Sequence, residues 1–429
     1  MKKNIEATIL KDAEAYWEKL GPGLTTGAAD DDPSGIATYS QTGARYGLSF
    51  LWLAILTYPL MSVVQEMCAR IGMVTGRGLA ATIRHNYPKW ILYFLTAFLF
   101  AANTFNIGAD LGAMASAIQL LIPQFPFWSL VIGFTVISLY FQIFTSYRTY
   151  AKYLKWLALV LFSYVITAFG LKLNWGEIFY HTFIPQFSLN KESLLLVAAI
   201  LGTTISPYLF FWQPAQEIEE KILQGENTVH KRRKVGKDEI KNMRIDVWTG
   251  MFVSNIVMFF IIIVCAFTLF SNGITNIDTA AEAALALRPL AGEGAYLLFA
   301  LGIIGSGLLS IPILAGSASY AISETFNWKI GLYHKLKQAW AFYGVIIASM
   351  IVGLLLNFIG LDPIKALIYS AVGNCIVAPF ALIFIVLISS SKKIMGEEHV
   401  NKPFTTFLGW VVTIIMALTS IGTLLSFFL

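Results

Sequence analysis

The chain has 429 residues, of which 57% are hydrophobic and only 13% are charged, and its mean hydropathy is +0.67. Soluble proteins carry about 25% charged residues, so this composition excludes a soluble protein and indicates an integral membrane protein. The net charge of +5 comes from basic residues in loops between apolar segments, a topology signal that predicts no nucleic-acid partner. Three cysteines, Cys68, Cys265 and Cys375, lie in apolar segments without metal or redox spacing.

Residues 1–20 are polar and predict a short amphipathic segment on the cytoplasmic membrane surface, without a cleavable signal peptide. A bilayer is spanned by about 20 apolar residues in a helix. With about 20 residues for each span, the rest of the chain predicts an all-α protein with eleven transmembrane segments. Their expected limits are 21–46, 48–73, 91–121, 126–146, 150–172, 193–221, 243–272, 293–320, 338–360, 363–390 and 403–428.

The distribution of Lys and Arg predicts the orientation. With the N-terminus in the cytoplasm and eleven spans, 25 of the 30 basic residues lie in cytoplasmic segments. The five on the other side are Arg45, Lys172, Lys191, Arg288 and Lys365. Because cytoplasmic loops accumulate Lys and Arg, we expect a protein of the bacterial inner membrane with its C-terminus on the outer side.

The first segment contains three consecutive carboxylates, Asp30, Asp31 and Asp32, followed by Pro33. Proline removes a backbone donor and clashes with the preceding helical turn, which predicts a break in the helix. Each charge inside a membrane costs about 2.5–3.5 kcal/mol on insertion scales, so carboxylates at this depth are functional candidates. A broken helix with carboxylates and free carbonyl groups is typical of a cation site in a transporter.

A second interruption occurs at Thr203-Thr204-Ile205-Ser206-Pro207-Tyr208, inside the sixth predicted segment. Interrupted segments at matching positions in two halves indicate an inverted repeat with a binding site between the halves. The sequence therefore predicts a cytoplasmic segment 1–20, five-helix repeats 21–172 and 193–390, and an extra helix 403–428.

At these residues the chain resembles the NRAMP family of divalent metal transporters, which have the LeuT fold. The resemblance rests on Gly21-Pro22-Gly23, on Asp32-Pro33-Ser34-Gly35, on the run from Gln65 to Gly76, and on Gly202 with Pro207. It implies LeuT-type helices 1 and 6 that are broken, and a divalent cation as substrate rather than a cofactor. No enzymatic activity is expected, because no catalytic constellation is present.

The chain departs from the family at the positions that bind the metal. In the first span, Asp32 matches the metal-binding Asp of the family, but Gly35 stands in place of the Asn ligand. In the sixth span, Ser206 stands in place of the Met ligand. Thr203 and Tyr208 stand in place of the Ala and the His of the family pattern. The resemblance thus implies a site of Asp32, Gly35, Thr203 and Ser206. The neighbours Asp30 and Asp31 are added as further candidate ligands.

These departures favour a hard cation. A thioether helps to select transition metals, whereas oxygen ligands suit Mg²⁺, Ca²⁺ and Mn²⁺. Mg²⁺ keeps several waters and is held through one or two carboxylates, which suits a site that has lost two ligand side chains. The sequence is similar to the NRAMP-related magnesium transporters, so we expect uptake of partly hydrated Mg²⁺, with Mn²⁺ also possible.

Four residues are candidates for the ion pathway or a proton relay: Asp110, Tyr208, Asn374 and Gln216. The third-span Glu of the family is Ala113 here, which removes one relay group and predicts weak or absent proton coupling. Glu219 and Glu220 are expected to reach water at the cytoplasmic end of the sixth span.

Two alternatives remain open. The first is a proton-coupled Mn²⁺ or Fe²⁺ symporter of the NRAMP type. The second is a carrier of organic solutes with the same fold, against which the three carboxylates argue, because that fold binds a substrate carboxylate at a half-helix N-terminus. Membrane lipids are expected partners, and the protein is expected to be a monomer.

Overall fold

The structure is a computed structural model that describes residues 21–145, 159–186 and 190–426. Within these residues every regular element is a helix, which confirms the expected all-α class. The segment 1–20 and part of the fifth expected span lie outside the described residues. The helices are α1 (Pro22–Asp30), α2 (Pro33–Tyr46), α3 (Trp52–Thr75), α4 (Leu79–Asn86), α5 (Lys89–Leu121), α6 (Phe127–Phe144), α7 (Phe162–Gly170), α8 (Trp175–Phe183), α9 (Lys191–Thr204), α10 (Pro207–Leu223), α11 (Val229–Arg232), α12 (Lys237–Thr268), α13 (Ala280–Ala284), α14 (Arg288–Ala291), α15 (Ala295–Phe326), α16 (Trp340–Leu356), α17 (Pro363–Ser389), α18 (Lys392–His399) and α19 (Pro403–Ser426).

Both predicted helix breaks are confirmed. The first expected span consists of α1 and α2, which are separated at Asp31 and Asp32. The sixth consists of α9 and α10, which are separated at Ile205 and Ser206. Each second half-helix begins with a proline at its first position, where the missing N–H is not needed and the fixed φ favours the helix.

Eight helical segments of the described chain are long and apolar enough to cross a membrane. The first expected span is not among them, because its halves have only 9 and 14 residues. Helix α16 has 17 residues and is also shorter than the usual span. The expected span 150–172 is described only at its end, where α7 lies.

Small residues bring α12 against the first broken helix. A Cβ atom on Gly27 would lie 2.2 Å from the carbonyl oxygen of Gly250, and one on Gly250 would lie 2.2 Å from that of Gly23. The same relationship joins α9 to α17, where a Cβ on Gly202 would lie 1.9 Å from the Ala371 oxygen. Backbones can approach this closely in membranes only where side chains are minimal. Each broken helix is therefore held against a long continuous helix.

A buried carboxylate fixes the start of α1. Asp246 of α12 accepts hydrogen bonds from the backbone N–H groups of Gly21 (2.8 Å), Gly23 (2.6 Å) and Leu24 (2.9 Å). The first N–H groups of a helix have no partner within the helix and carry a partial positive charge, so a carboxylate there stabilises the helix end. This contact sets the position of the half-helix that leads to Asp30.

Candidate metal site

Asp32 lies in the break between α1 and α2 and caps the second half-helix. Its Oδ1 accepts a hydrogen bond from the backbone N–H of Gly35 at 2.8 Å and another from Ser34 Oγ at 2.6 Å. Asp is among the preferred residues for a helix N-cap, because its side chain satisfies an N–H group of the first turn. The capping turn that Asp-Pro-Ser-Gly would form in water is thus formed here by a residue that is 1% exposed.

Side chains from two other spans complete the surroundings of Asp32. Asn106 Nδ2 on α5 donates to Asp32 Oδ2 at 3.0 Å. Thr203 Oγ1, at the end of α9, lies 3.5 Å from Asp32 Oδ1 and 3.4 Å from Ser34 Oγ. Ser370 Oγ on α17 donates to Asn106 Oδ1 at 2.9 Å and so directs the amide of Asn106 toward the carboxylate. Three spans therefore meet at one carboxylate through neutral groups, and a fourth span holds Asn106 in place.

Asp30 and Asp31 are buried in a second cluster. Ser254 Oγ on α12 lies 2.9 Å from Asp30 Oδ2 and 3.1 Å from Asp31 Oδ1. Asp30 Oδ1 is buried without a hydrogen-bond partner. Nowhere among the described residues do three or more His, Cys, Asp or Glu side chains form a group suited to a metal ion. Asp30 and Asp31 thus share Ser254 as a partner, whereas Asp32 has a different set of hydrogen-bond partners.

Gly35 lies where a ligand side chain would have little space. A Cβ atom at this position would be 3.1 Å from Thr203 Oγ1 and 3.3 Å from Cε2 of Tyr39. Thr203 and the ring of Tyr39 therefore occupy the space beside Gly35. The exchange of Asn for Gly, deduced from the resemblance, is accompanied by closely packed neighbours on that side of Asp32.

Ser206 and Tyr208 form hydrogen bonds at the second break. Ser206 Oγ lies 2.9 Å from the carbonyl oxygen of Gly202 and 2.6 Å from that of Thr203, both of which lack partners further along α9 because the helix ends. The hydroxyl proton is used in this turn, while the oxygen lone pairs remain as acceptors. Tyr208 OH donates to the carbonyl of Ala29 at 3.1 Å and connects α10 to the end of α1.

The other candidate pathway residues are buried but separate. Asp110 Oδ2 accepts a hydrogen bond from Ser310 Oγ of α15 at 2.9 Å, and its Oδ1 has no partner among the described residues. Asn374 is fully buried, and in the described part of the chain neither its Oδ1 nor its Nδ2 has a hydrogen-bond partner. The same holds, within the described ranges, for the buried Nε2 of Gln216. A buried polar atom without a hydrogen-bond partner destabilises the folded protein unless water or an ion reaches it.

A cavity of about 400 Å³ opens at the end of α10 that lies farthest from Asp32. Its wall includes Ala215, Ile218 and Glu219 on α10, with Tyr320 on α15, but does not include Gln216. Trp212 is fully buried and its ring lies 6.1 Å from that of Tyr320. Along α10, Trp212 lies between the break and the residues that line the cavity.

The expectation that Glu219 reaches water is wrong, because this residue is 8% exposed. Its Oε1 accepts a hydrogen bond from Tyr320 OH at 2.6 Å and another from the backbone N–H of Leu332 at 2.8 Å. The loop after α15 folds back over α10 and covers the carboxylate of Glu219. Sequence offered no signal for this, since Glu219 stands in a run of charged residues at a span end.

Sequence reasoning also missed groups that hold the carboxylates. The sequence does not identify Ser34, Ser254 or Asn106 as partners of the carboxylates. A signal existed for Ser34, since Asp followed by Ser and Gly at the start of a helix is a capping pattern. None existed for Ser254, which lies more than 220 residues from its carboxylate partners.

Comparison with known proteins decides the family. Residues 23–426 match the family described as natural resistance-associated macrophage protein-like, Nramp. The chain belongs to the Nramp family. A curated relative, the divalent metal cation transporter MntH of Deinococcus radiodurans, is 28% identical over 402 residues, which are 92% of this chain and 87% of the relative.

Solved structures show the fold of this Nramp protein. The manganese transporter of Eremococcus coleocola superposes with a TM-score of 0.75 at 18% identity, covering 95% of this chain and 86% of that one. Mhp1, a nucleobase-cation-symport-1 family transporter, superposes with a TM-score of 0.57 at 13% identity over 95% and 91% of the two chains. The expected LeuT-type fold is thereby confirmed, and the relatives are membrane transporters rather than enzymes.

Proposed function

We propose that this Nramp protein is a secondary transporter that imports a divalent metal cation by alternating access, with Asp32 as the central ligand. The observation that carries the proposal is that Asp32 is buried at the crossing of two broken helices with only neutral hydrogen-bond donors around it. In the described part of the chain no Lys or Arg pairs with Asp30, Asp31 or Asp32. A buried carboxylate without a counter-charge is costly, and a bound cation supplies that charge.

Mg²⁺, partly hydrated, is the cation that the donor set favours, with Mn²⁺ as a second substrate. The groups within hydrogen-bond distance of Asp32 carry oxygen and nitrogen atoms, and Gly35 and Ser206 stand where the family resemblance implies an amide and a thioether. Hard oxygen ligands suit Mg²⁺, which is usually bound through one or two carboxylates and its own waters. Thr203 and Ser206 would then contact the ion or its waters, with Asp30 and Asp31 adding negative charge nearby.

A second candidate is a proton-coupled Mn²⁺ symporter. The observation in its favour is that the curated relatives carry the name divalent metal cation transporter and that the superposed Eremococcus protein is a manganese transporter. Asp32 and Asp110 are two carboxylates that could exchange protons in such a mechanism. Tyr208 and Ala113 stand at the positions where the resemblance implies two relay groups, which favours uptake without strong coupling.

The membrane potential suffices to drive such uptake. Moving one elementary charge through 100 mV is worth about 2.3 kcal/mol, and a divalent ion therefore gains about 4.6 kcal/mol on entering a negative interior. A proton gradient is thus not required energetically. Asp110, Tyr208, Asn374 and Gln216 would line the route of the ion or of protons rather than bind the ion in its central position.

The test is uptake into proteoliposomes that contain a pH-sensitive dye. Mg²⁺ and Mn²⁺ are each offered to the wild type, to Asp32→Ala and to the matched control Asp238→Ala, whose carboxylate is exposed. The proposal expects Mg²⁺ uptake that Asp32→Ala abolishes and Asp238→Ala preserves, without internal acidification. Mn²⁺ uptake with acidification and without competition by Mg²⁺ would favour the second candidate, and uptake unaffected by Asp32→Ala would exclude both.

We also propose the orientation and the repeat division from the sequence: cytoplasmic 1–20, repeats 21–172 and 193–390, and helix 403–428, as a monomer in the bacterial inner membrane. The cavity at the proposed cytoplasmic end brings together Arg77, Arg84 and Arg232, which supports the assignment. Because the native cysteines are buried, a thiol reagent should label only the introduced cysteines. Lys402→Cys should react only with a permeant reagent in intact cells, and Lys365→Cys with an impermeant one; the reverse pattern would invert the topology.

A further inference from the structure

A second cavity, of about 370 Å³, opens between the start of α5 and the end of α15. Its basic lining groups are Arg84, His85 and Lys89, and its aromatic ones are Tyr93 and Phe326. Among the residues that the structure describes, no Asp or Glu lines it. Glu324 of α15 lies outside the lining and interacts electrostatically with Arg84. Its carboxylate accepts a hydrogen bond from the backbone N–H of Ala81 at 2.9 Å. The cavity is therefore basic on one wall and aromatic on the other.

This cavity lies at the level of the membrane surface. Helix α5 has 33 residues and is about 50 Å long at 1.5 Å per residue, so it extends beyond a hydrocarbon core of about 30 Å. Trp90 and Tyr93 near its start are 70% and 46% exposed, and Trp328 after α15 is 42% exposed. Exposed Trp and Tyr concentrate where the hydrocarbon region meets the headgroups. Lys89 and Arg84 are thus placed at headgroup depth.

The basic wall is held in position. Arg84 donates through Nη2 to Asn327 Oδ1 at 2.7 Å. Asn327 adopts a left-handed conformation, with φ of 59°, that ends α15, and this turn places its side chain beside Arg84. A guanidinium has five N–H donors, so Arg84 keeps donors for a ligand. Planar guanidinium groups bind phosphate through paired hydrogen bonds.

An aromatic surface continues from the cavity along the lipid-facing side of the protein. Phe94, Phe98 and Phe380 are each 40–42% exposed, and their rings contact one another at centroid distances of 4.4–6.3 Å. Tyr93 stacks on Phe326 at 5.8 Å. An apolar ligand that leaves the cavity toward the membrane centre would follow this surface.

We propose that this cavity binds the phosphate headgroup of an anionic phospholipid, with an acyl chain along Phe94 and Phe98. Basic pockets between transmembrane helices at the membrane surface bind anionic headgroups, and each nearby Lys or Arg contributes. A free anion would use the same basic wall but would gain nothing from the aromatic surface. The lipid joins the start of α5 to the end of α15, and this binding does not depend on which cation is carried.

The test uses the full-length protein in a neutral detergent. Native mass spectrometry measures retention of phosphatidylglycerol and of phosphatidylcholine by the wild type, by Arg84→Gln with Lys89→Gln, and by Lys335→Gln with Lys337→Gln. The last pair removes the same charge from exposed positions outside the cavity. Expected is a preference for phosphatidylglycerol that falls roughly tenfold or more in the first double variant and stays unchanged in the second.

Three results would overturn the proposal. The first is that Arg84→Gln with Lys89→Gln retains as much phosphatidylglycerol as the wild type. The second is that Lys335→Gln with Lys337→Gln loses as much as that variant does. The third is displacement of the lipid by inorganic phosphate at a similar concentration, which would indicate a free-anion site. Gel filtration and a melting curve without added lipid show whether the first double variant is folded. If it is not, Phe94→Ala with Phe98→Ala provides the second arm, in which the preference for phosphatidylglycerol remains and the total retention of both lipids falls.

Discussion

The phenol of Tyr208 lies 3.1 Å from the carbonyl oxygen of Ala29, and this hydrogen bond joins the two broken helices at the level of the site. Ala29 is in the last turn of α1, where backbone carbonyls lose their helical partners. Tyr208 is in the first turn of α10, two residues after the second break. Because both groups are buried, neither has water as an alternative partner. The ends of the half-helices are therefore coupled through one side chain.

Tyr208→Phe should slow cation uptake while the protein remains folded. The change leaves the Ala29 carbonyl without its partner, which costs about 1–3 kcal/mol for a buried group and loosens the contact between α1 and α10. Initial rates of uptake, with the melting temperature as a check on folding, measure the effect. Tyr333→Phe, at a partly exposed tyrosine, is the matched control and should leave the rate unchanged; equal rates in the two variants would show that the bond has no role.

Asn106 and Ser370 should contribute to cation affinity in a graded way. Asn106→Leu removes the donor to Asp32 Oδ2, while Ser370→Ala removes only the group that orients Asn106. Loss of a partner that orients a ligand typically lowers metal affinity by roughly 10- to 100-fold. Concentration dependence of uptake provides the apparent affinities, and we expect a larger loss for Asn106→Leu than for Ser370→Ala. The opposite order would mean that Ser370 acts on the site by another route.

Gly35→Asn combined with Ser206→Met should shift selectivity from Mg²⁺ toward Mn²⁺. The double change adds an amide and a thioether, and soft ligands favour transition metals over hard cations. Gly35→Asn must displace Thr203 or Tyr39 by a few tenths of an ångström, since its Cβ would lie 3.1–3.3 Å from them. Competition between Mg²⁺ and radioactive Mn²⁺ measures the shift. A variant that is stable but still inhibited equally by Mg²⁺ would argue against the assignment of these two positions.

Gly27→Ala should prevent correct packing of the first broken helix. Its Cβ would lie 2.2 Å from the backbone oxygen of Gly250, and a backbone atom cannot rotate away as a side chain can. We expect a strong loss of folded protein in fluorescence-detected gel filtration. Gly133→Ala is the control, because that glycine is also inside a helix and a Cβ added to it would have no neighbouring atom within 4 Å; equal losses in both variants would indicate that the glycine, and not the contact, matters.

Glu219 should hold the loop after α15 closed. Glu219→Ala removes the acceptor for Tyr320 OH and for the Leu332 N–H, so hydrogen exchange in residues 328–338 should accelerate. Glu219→Gln keeps a carbonyl acceptor at the same position and should restore much of the protection. If both variants exchange as the wild type does, the loop is held by other contacts.

The membrane class and the two helix breaks followed from the sequence alone, whereas Asp32 as the central ligand stays a prediction. They depend on local physics: long apolar runs require a membrane, and Pro33 and Pro207 stand beside carboxylate, hydroxyl and glycine residues that favour a helix start over a continuous helix. The family resemblance at Asp32 and its neighbours was confirmed by the match over residues 23–426. That Asp30 and Asp31 have hydrogen-bond partners other than those of Asp32 did not follow from the sequence, because only the geometry of the break determines where adjacent side chains point.

Only the tertiary structure decided what surrounds each carboxylate. Asn106 and Thr203 meet Asp32 from two different spans, and Ser370 holds Asn106 from a third. Ser254 reaches Asp30 and Asp31 from a fourth. Helical periodicity shows which residues share a face, but not which helix that face meets. That choice is made by close contacts between distant segments, such as Gly27 with Gly250, whose geometry depends on the packing of all the spans together.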